Sequence, residues 1–140
     1  MSEPERNEQL GPVRDRTVSD LSAQIAAKRI HVGGGSAAAA AASLAAASAE
    51  LVVTLSIRKS TPEQTQARLE RDSERLTRLR SALLDAADAD ELALGNLMQA
   101  YRSREADMGA LLVAAAETAL ASARLAAEVV EIAARGVGDA

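Results

Sequence analysis

The sequence predicts an all-α helical bundle with a long, central alanine-rich helix, assembled with copies of itself. Three observations carry this. Ser36 is followed by six consecutive alanines and then Ser43-Leu44-Ala45-Ala46-Ala47, a composition with the highest intrinsic helix propensity. No segment alternates apolar and polar residues as a half-buried strand does. Aromatic residues make up 1% of the chain, Tyr101 alone, so the core must come from Leu, Val, Ile and Ala. Alanine buries little area, which favours close helix packing and a homodimer or higher homo-oligomer.

The elements follow in order. Met1 to Arg16 is polar and charged with Pro4 and Pro12, and reads as a disordered tail, leaving residues 17–140 as a single helical domain. Ser19-Asp20 can cap a short helix through Leu21 and Ile25 to about Lys28, with Arg29 to Gly35 as the connecting loop. A long helix from Ser36 to about Ile57 is small or apolar nearly all round, which predicts a central helix wrapped by others. Thr61-Pro62-Glu63-Gln64 is a start signal with Thr as N-cap, Pro at N1 and Gln at N3. Neither Gly nor Pro recurs until Gly95, so one continuous or gently kinked helix reaches about Arg102, with Ala86 to Ala89 the place where a break could fall. A last helix, from about Glu105 to Arg135, carries a polar stripe of Glu117, Arg124, Glu128, Glu131 and Arg135, with Gly136 as C-cap.

Composition narrows the function classes. Cysteine is absent, which removes disulfides, thiolate catalysis and Cys-based metal sites and fits a cytoplasmic location. His31 is the only histidine, so no metal site is expected within one subunit. A net charge of −4 without a basic, aromatic-lined face argues against nucleic acid. Residues 36–57 could span a bilayer by length, but Ala and Ser dominate them and Glu50 lies inside, so no membrane is expected.

Candidate site residues come from two patterns. Gly33-Gly34-Gly35-Ser36 opens the long helix, and its unpaired N–H groups and positive dipole end suit a ligand oxygen or carboxylate, although most such turns bind nothing. Stepping 100° per residue from Leu76 aligns Leu69, Leu76, Leu79, Leu83, Ala87, Leu94, Leu97, Met98 and Tyr101 on one stripe. Asp72 and Asp90 fall inside that stripe; Asp85 and Asp88 point outward as surface acids. A carboxylate facing apolar neighbours must be paired or hydrogen-bonded, and such groups concentrate at functional sites. Asp72 lies among Arg68, Arg71 and Arg75, whereas Asp90 has no base within one turn, which makes Asp90 the better catalytic candidate. Glu50, the one charged residue of the alanine-rich helix, is the second. The plain alternative is that these acids pair with a neighbouring helix or subunit.

Taken together, Gly33-Gly34-Gly35-Ser36, the helix ending Glu50-Leu51-Val52 to Arg58-Lys59, and Asp90-x-x-Ala93-Leu94-x-x-Leu97-Met98-x-Ala100-Tyr101 resemble the formiminotransferase-cyclodeaminase C-terminal family, which includes methenyltetrahydrofolate cyclohydrolases. Val32, Thr54 and Leu94 depart from the family's usual proline, asparagine and aromatic residue. The resemblance implies an all-helical dimer with a folate site near the subunit interface. It implies hydrolysis of 5,10-methenyltetrahydrofolate or loss of ammonia from 5-formiminotetrahydrofolate, or a related C–N bond reaction, with the tetrahydrofolate derivative as substrate and no covalently bound cofactor. Asp90 would handle the proton, with Glu50 as a further catalytic candidate. Gly33, Gly34, Gly35 and Ser36 would hold a ligand oxygen, Arg58 or Lys59 an anionic tail, and Tyr101 would join the ligand-binding set. A non-catalytic helical oligomer, serving as an assembly or binding module, is the alternative class; it implies a salt-bridged Asp90 and no pocket beside it.

Overall fold

The computed structural model describes residues 11–27, 32–104 and 108–138. Among them lie a 3-10 turn, Val13–Asp15, and four helices: α1 (Val18–Ala26), α2 (Gly34–Ser56), α3 (Glu63–Ser103) and α4 (Gly109–Gly138). No strand occurs among the described residues. The continuous helix expected to about Arg102 is observed: α3 runs unbroken for 41 residues, through Ala86 to Ala89 where a break could have fallen.

Helix α3 is the common support. Ser36 meets Asp90 near one end and Ser43 donates to the Arg80 carbonyl further along, so α2 runs antiparallel to α3. Thr118 meets Asp90 while Glu128 meets Arg75 and Arg135 meets Asp72, so α4 is also antiparallel to α3 and parallel to α2. The main core follows from α3's stripe: Leu69, Leu76, Leu79 and Leu83 pack against Ala46, Val53, Val129 and Ile132. Where α2 begins, the stripe loses its cover, and Leu94, Leu97 and Met98 are half-buried while Tyr101 is 68% exposed.

Several local expectations are corrected. The alanine-rich helix is not central: its inner face packs on α3, while Leu44, Leu51, Val52 and Leu55 stand 56–67% exposed on its outer face. Alanine on every side gives α2 little amphipathic signal, so the sequence could not orient it. It begins at Gly34 rather than Ser36, with Gly33 as N-cap. Thr61 does not cap α3; its hydroxyl accepts from the Arg58 N–H (2.9 Å) and donates to the Ser56 carbonyl (3.4 Å), closing the α2–α3 turn, and Pro62 takes the N-cap position. Thr17, not Ser19 or Asp20, caps α1 by accepting from the Asp20 N–H at 3.1 Å. Gly136 lies within α4 rather than ending it.

The chain before α1 is also folded where it is described. Val13 is buried against Ala39, Ala40 and Ala87, and its N–H donates to Asp88. Arg14 pairs with Asp85, and Arg16 grips Glu91 through one guanidinium nitrogen at 2.8 and 3.0 Å. Residues 11–16 therefore leave the expected tail and clasp α3, and Asp85 and Asp88 are not idle surface acids; residues 1–10 lie outside the described residues. His31 does as well.

Candidate functional site

The site is assembled by α2, α3 and α4 around one carboxylate. Asp90 comes from the buried stripe of α3 and is 8% exposed. Its Oδ2 accepts from the Ser36 N–H at 2.8 Å and from the Ser36 hydroxyl at 2.9 Å; Oδ1 accepts from the Thr118 hydroxyl at 3.2 Å. Ser36 is fully buried in the first turn of α2, so a side chain 54 positions away in sequence performs the N-capping that a local Ser or Asp usually supplies. The positive end of the α2 dipole faces the carboxylate. Among the described residues no Arg or Lys pairs with Asp90.

Two of the three glycines, Gly33 and Gly35, leave room for Asp90. A Cβ at Gly35 would overlap the carboxylate, coming within 2.6 Å of Asp90 Cγ, and one at Gly33 would lie 2.9 Å from Leu94 Cδ2 and 3.1 Å from Asp90 Oδ2. At Gly34 a Cβ meets nothing within 4 Å. The expectation of a bare amide seat for a ligand oxygen is thus corrected at Ser36: that amide and hydroxyl are taken by the protein's own Asp90, while Gly34 faces outward.

The remaining candidates stand apart within one chain. Glu50 accepts from the Thr77 hydroxyl at 2.7 Å and lies 3.4 Å from the Arg80 guanidinium, about 21 Å along α2 from Ser36. That is the neighbouring-helix pairing named above as the plain alternative. Arg58 and Lys59 are exposed beyond the far end of α2, about 33 Å from the glycine turn at 1.5 Å per residue. Tyr101 lies three turns beyond Asp90 and lines, with Arg102, Arg104 and Met108, an open depression of about 550 Å³. Asp72, the other buried acid, is held by Arg68 at 3.2 Å and Arg135 at 3.3 Å, a structural ion-pair cluster.

Of the three sequence blocks, then, two converge: the triglycine turn and the block opening at Asp90 are in direct contact. A family model, formiminotransferase-cyclodeaminase, matches residues 17–138. The chain belongs to that family. Comparison with curated proteins and with solved structures gives no match. Family membership makes this a cyclodeaminase-type, folate-related chain, and the buried Asp90–Ser36–Thr118 cluster lies wholly within the matched span.

Thr118 was not among the candidates. Its signal was available: on α4 it shares a face with Ser122, Leu125, Val129 and Ile132, so two hydroxyls interrupt an otherwise apolar row. Its hydroxyl also lies 2.9 Å from the Ala115 carbonyl, and with one proton it serves either that carbonyl or Asp90 Oδ1 at a time. Arg16 was missed because only the fold brings it to Glu91, 75 positions away.

Proposed function

We propose that this protein is an enzyme acting on a one-carbon tetrahydrofolate derivative, by hydrolysing the methenyl bridge of 5,10-methenyltetrahydrofolate or by expelling ammonia from 5-formiminotetrahydrofolate, with Asp90 as the proton-handling group. The observation that carries this is the manner in which Asp90 is held. Asp72 is met by two cations, whereas among the described residues Asp90 is met by an amide and two hydroxyls, which fix its position without neutralising it. Oδ2 carries two donors and Oδ1 one shared hydroxyl, so Oδ1 has the open capacity for a substrate proton.

In the hydrolytic reaction water adds to the methenyl carbon as Asp90 takes a proton from it. The C–N bond then breaks, one proton goes to the departing nitrogen and one is released to solvent. In the ammonia reaction the exocyclic N10 attacks the carbon of the protonated formimino group on N5, the proton N10 loses is passed to the amino group so formed, and that group departs as ammonia, leaving the methenyl cation. A positioned acid–base group contributes about 10²–10⁴-fold to either reaction. Glu50, salt-bridged to Arg80 and about 21 Å from Ser36, has no part in this chemistry within one chain.

The test is to incubate the purified chain separately with 5,10-methenyltetrahydrofolate and with 5-formiminotetrahydrofolate, following absorbance and released ammonia. Turnover of either supports the reading. Failure of both, with a folded protein, favours the second class, a non-catalytic helical oligomer. What speaks for that class is that Asp90 itself fills the glycine turn.

A further inference from the structure

Asp72 and Asp90 are both buried acids of α3, and the chemistry of their partners sets them apart. Asp72 lies between two guanidinium groups, with Arg68 on Oδ2 at 3.2 Å and Arg135 on Oδ1 at 3.3 Å. A guanidinium only donates, so a proton added to either oxygen of Asp72 finds a donor already there. Asp90 is free of that conflict at one oxygen. Its Oδ2 accepts from the Ser36 N–H, which can only donate, and from the Ser36 hydroxyl, so an incoming proton is directed to Oδ1. Oδ1 faces the Thr118 hydroxyl at 3.2 Å, and a hydroxyl both donates and accepts. The second bond of Thr118 lets it change sides. Its hydroxyl also lies 2.9 Å from the Ala115 carbonyl, and that carbonyl, inside α4, already accepts the backbone N–H four residues on. The helix therefore loses little when the hydroxyl turns away.

We propose that Thr118 is a positioning residue for the proton of Asp90: its hydroxyl reverses direction as Asp90 gains and loses that proton, keeping both forms of the acid hydrogen-bonded in one place. With Asp90 ionised, the hydroxyl donates to Oδ1. With a proton on Oδ1, the hydroxyl hydrogen turns to the Ala115 carbonyl and its oxygen accepts from Asp90. Only a hydrogen rotates, and neither form leaves a buried polar group unmet. The proposal rests on the reading of Asp90 as the proton-handling group and supplies what that role needs. Among the described residues no charge competes at this spot. Facing Asp90, α2 brings Gly33, Gly35 and Ser36, and α4 brings Thr118, whose neighbour Glu117 is exposed. The nearby acids of α3 are turned elsewhere, Asp88 to the Val13 N–H and Arg14, Glu91 to Arg16. Thr77 is the internal comparison: its hydroxyl lies 2.7 Å from Glu50 and 3.2 Å from the Ser73 carbonyl, the same pair of bonds, but there Arg80 faces the other carboxylate oxygen at 3.4 Å. The distinguishing feature of Asp90 is a reversible hydroxyl with no cation beside it.

The reversal is testable without substrate. Asp90→Asn imitates the neutral acid, since its amide oxygen serves Ser36 and its NH2 group is a donor aimed at Thr118. A hydroxyl able to accept stays coupled to position 90 in that variant. Urea unfolding of Thr118→Val in the Asp90→Asn and Asp90→Ala backgrounds measures the coupling. Loss of the hydroxyl is expected to raise the unfolding equilibrium constant about fivefold more in the first background than in the second. Equal effects would overturn the proposal, because the hydroxyl would then only donate. Should Asp90→Ala fail to fold, the deficit of Thr118→Val against wild type is followed into acid. A hydroxyl that supports both forms keeps its effect there, and a deficit that vanishes on acidification overturns the proposal. A second arm reads turnover. Where the wild-type protein turns over either folate substrate, Thr118→Val is expected to lower kcat about tenfold with KM little changed, Thr118→Ser to recover most of it, and Thr77→Val to leave it unchanged. A folded Thr118→Val protein with wild-type kcat overturns the positioning role. Wild-type protein that turns over neither substrate while the coupling is present removes the enzymatic reading and leaves the reversing hydroxyl standing.

Discussion

Replacing Gly35 by alanine tests the packing of Asp90 against the glycine turn through the sign of the effect. In a helix, Gly→Ala ordinarily stabilises by up to about 1 kcal/mol. At Gly35 the new Cβ would lie 2.6 Å from Asp90 Cγ and 2.7 Å from Oδ2, so the carboxylate must move. Moving it loosens the bonds from the Ser36 amide, the Ser36 hydroxyl and Thr118, each worth about 1.5–3 kcal/mol when one partner is charged. Partial loss of two of them outweighs the propensity gain, and a net destabilisation of about 2–3 kcal/mol is expected. Gly34 is the internal control: with nothing within 4 Å, Gly34→Ala should be neutral or stabilising. Urea unfolding followed by circular dichroism measures both. In an Asp90→Ala background, Gly35→Ala should lose its penalty, and the double-mutant cycle reports the coupling. Equal effects of Gly34→Ala and Gly35→Ala, or no coupling to position 90, would refute the reasoning.

Other expectations follow from neighbouring observations. Val13→Ala should cost about 1–2 kcal/mol by urea unfolding, since Val13 is 3% exposed and packs on Ala39, Ala40 and Ala87; a chain whose N-terminal segment is a free tail would show no change. Leu76→Ala, at the fully buried centre of the core, should cost about 3 kcal/mol in the same assay. The hydrogen bond from Arg75, at 2.5 and 2.6 Å, is the largest cause holding Glu128 below its ordinary value of 4.5, and the charge of Arg75 adds to it against desolvation. Because the folded pKa is the lower one, the pair's contribution is complete above about pH 4.5 and fades as pH falls through the folded value. Glu128→Gln should therefore lower stability by less than about 1 kcal/mol at pH 7, the pair being partly exposed, and its deficit should vanish in acid.

How far the sequence can be read depends on what each element offers. In α3 the leucines alternate with charge over 41 residues, so a simple angular step placed Leu76, Leu79 and Leu83 in the core and identified Asp72 and Asp90 as buried acids. In α2 alanine lies on every side, and no pattern could say which face meets α3. Gly35 was legible as a close-approach position, but not what approaches it, because Asp90 comes from another helix. Thr61 resembled an N-cap and turned its hydroxyl to Ser56 and Arg58 instead, since the tight turn between two long helices needed those groups satisfied first. Arg14 and Arg16 find their acids across more than 70 positions, which local sequence does not encode.

The most direct test of Asp90 as the proton-handling group is the rate of 5,10-methenyltetrahydrofolate hydrolysis by wild-type protein and by Asp90→Asn, measured with urea unfolding on the same samples. Asparagine keeps the acceptor for Ser36 but cannot take a proton. A folded Asp90→Asn protein whose turnover falls by about 10²-fold or more is the expected result. Unchanged turnover in that variant would contradict the account.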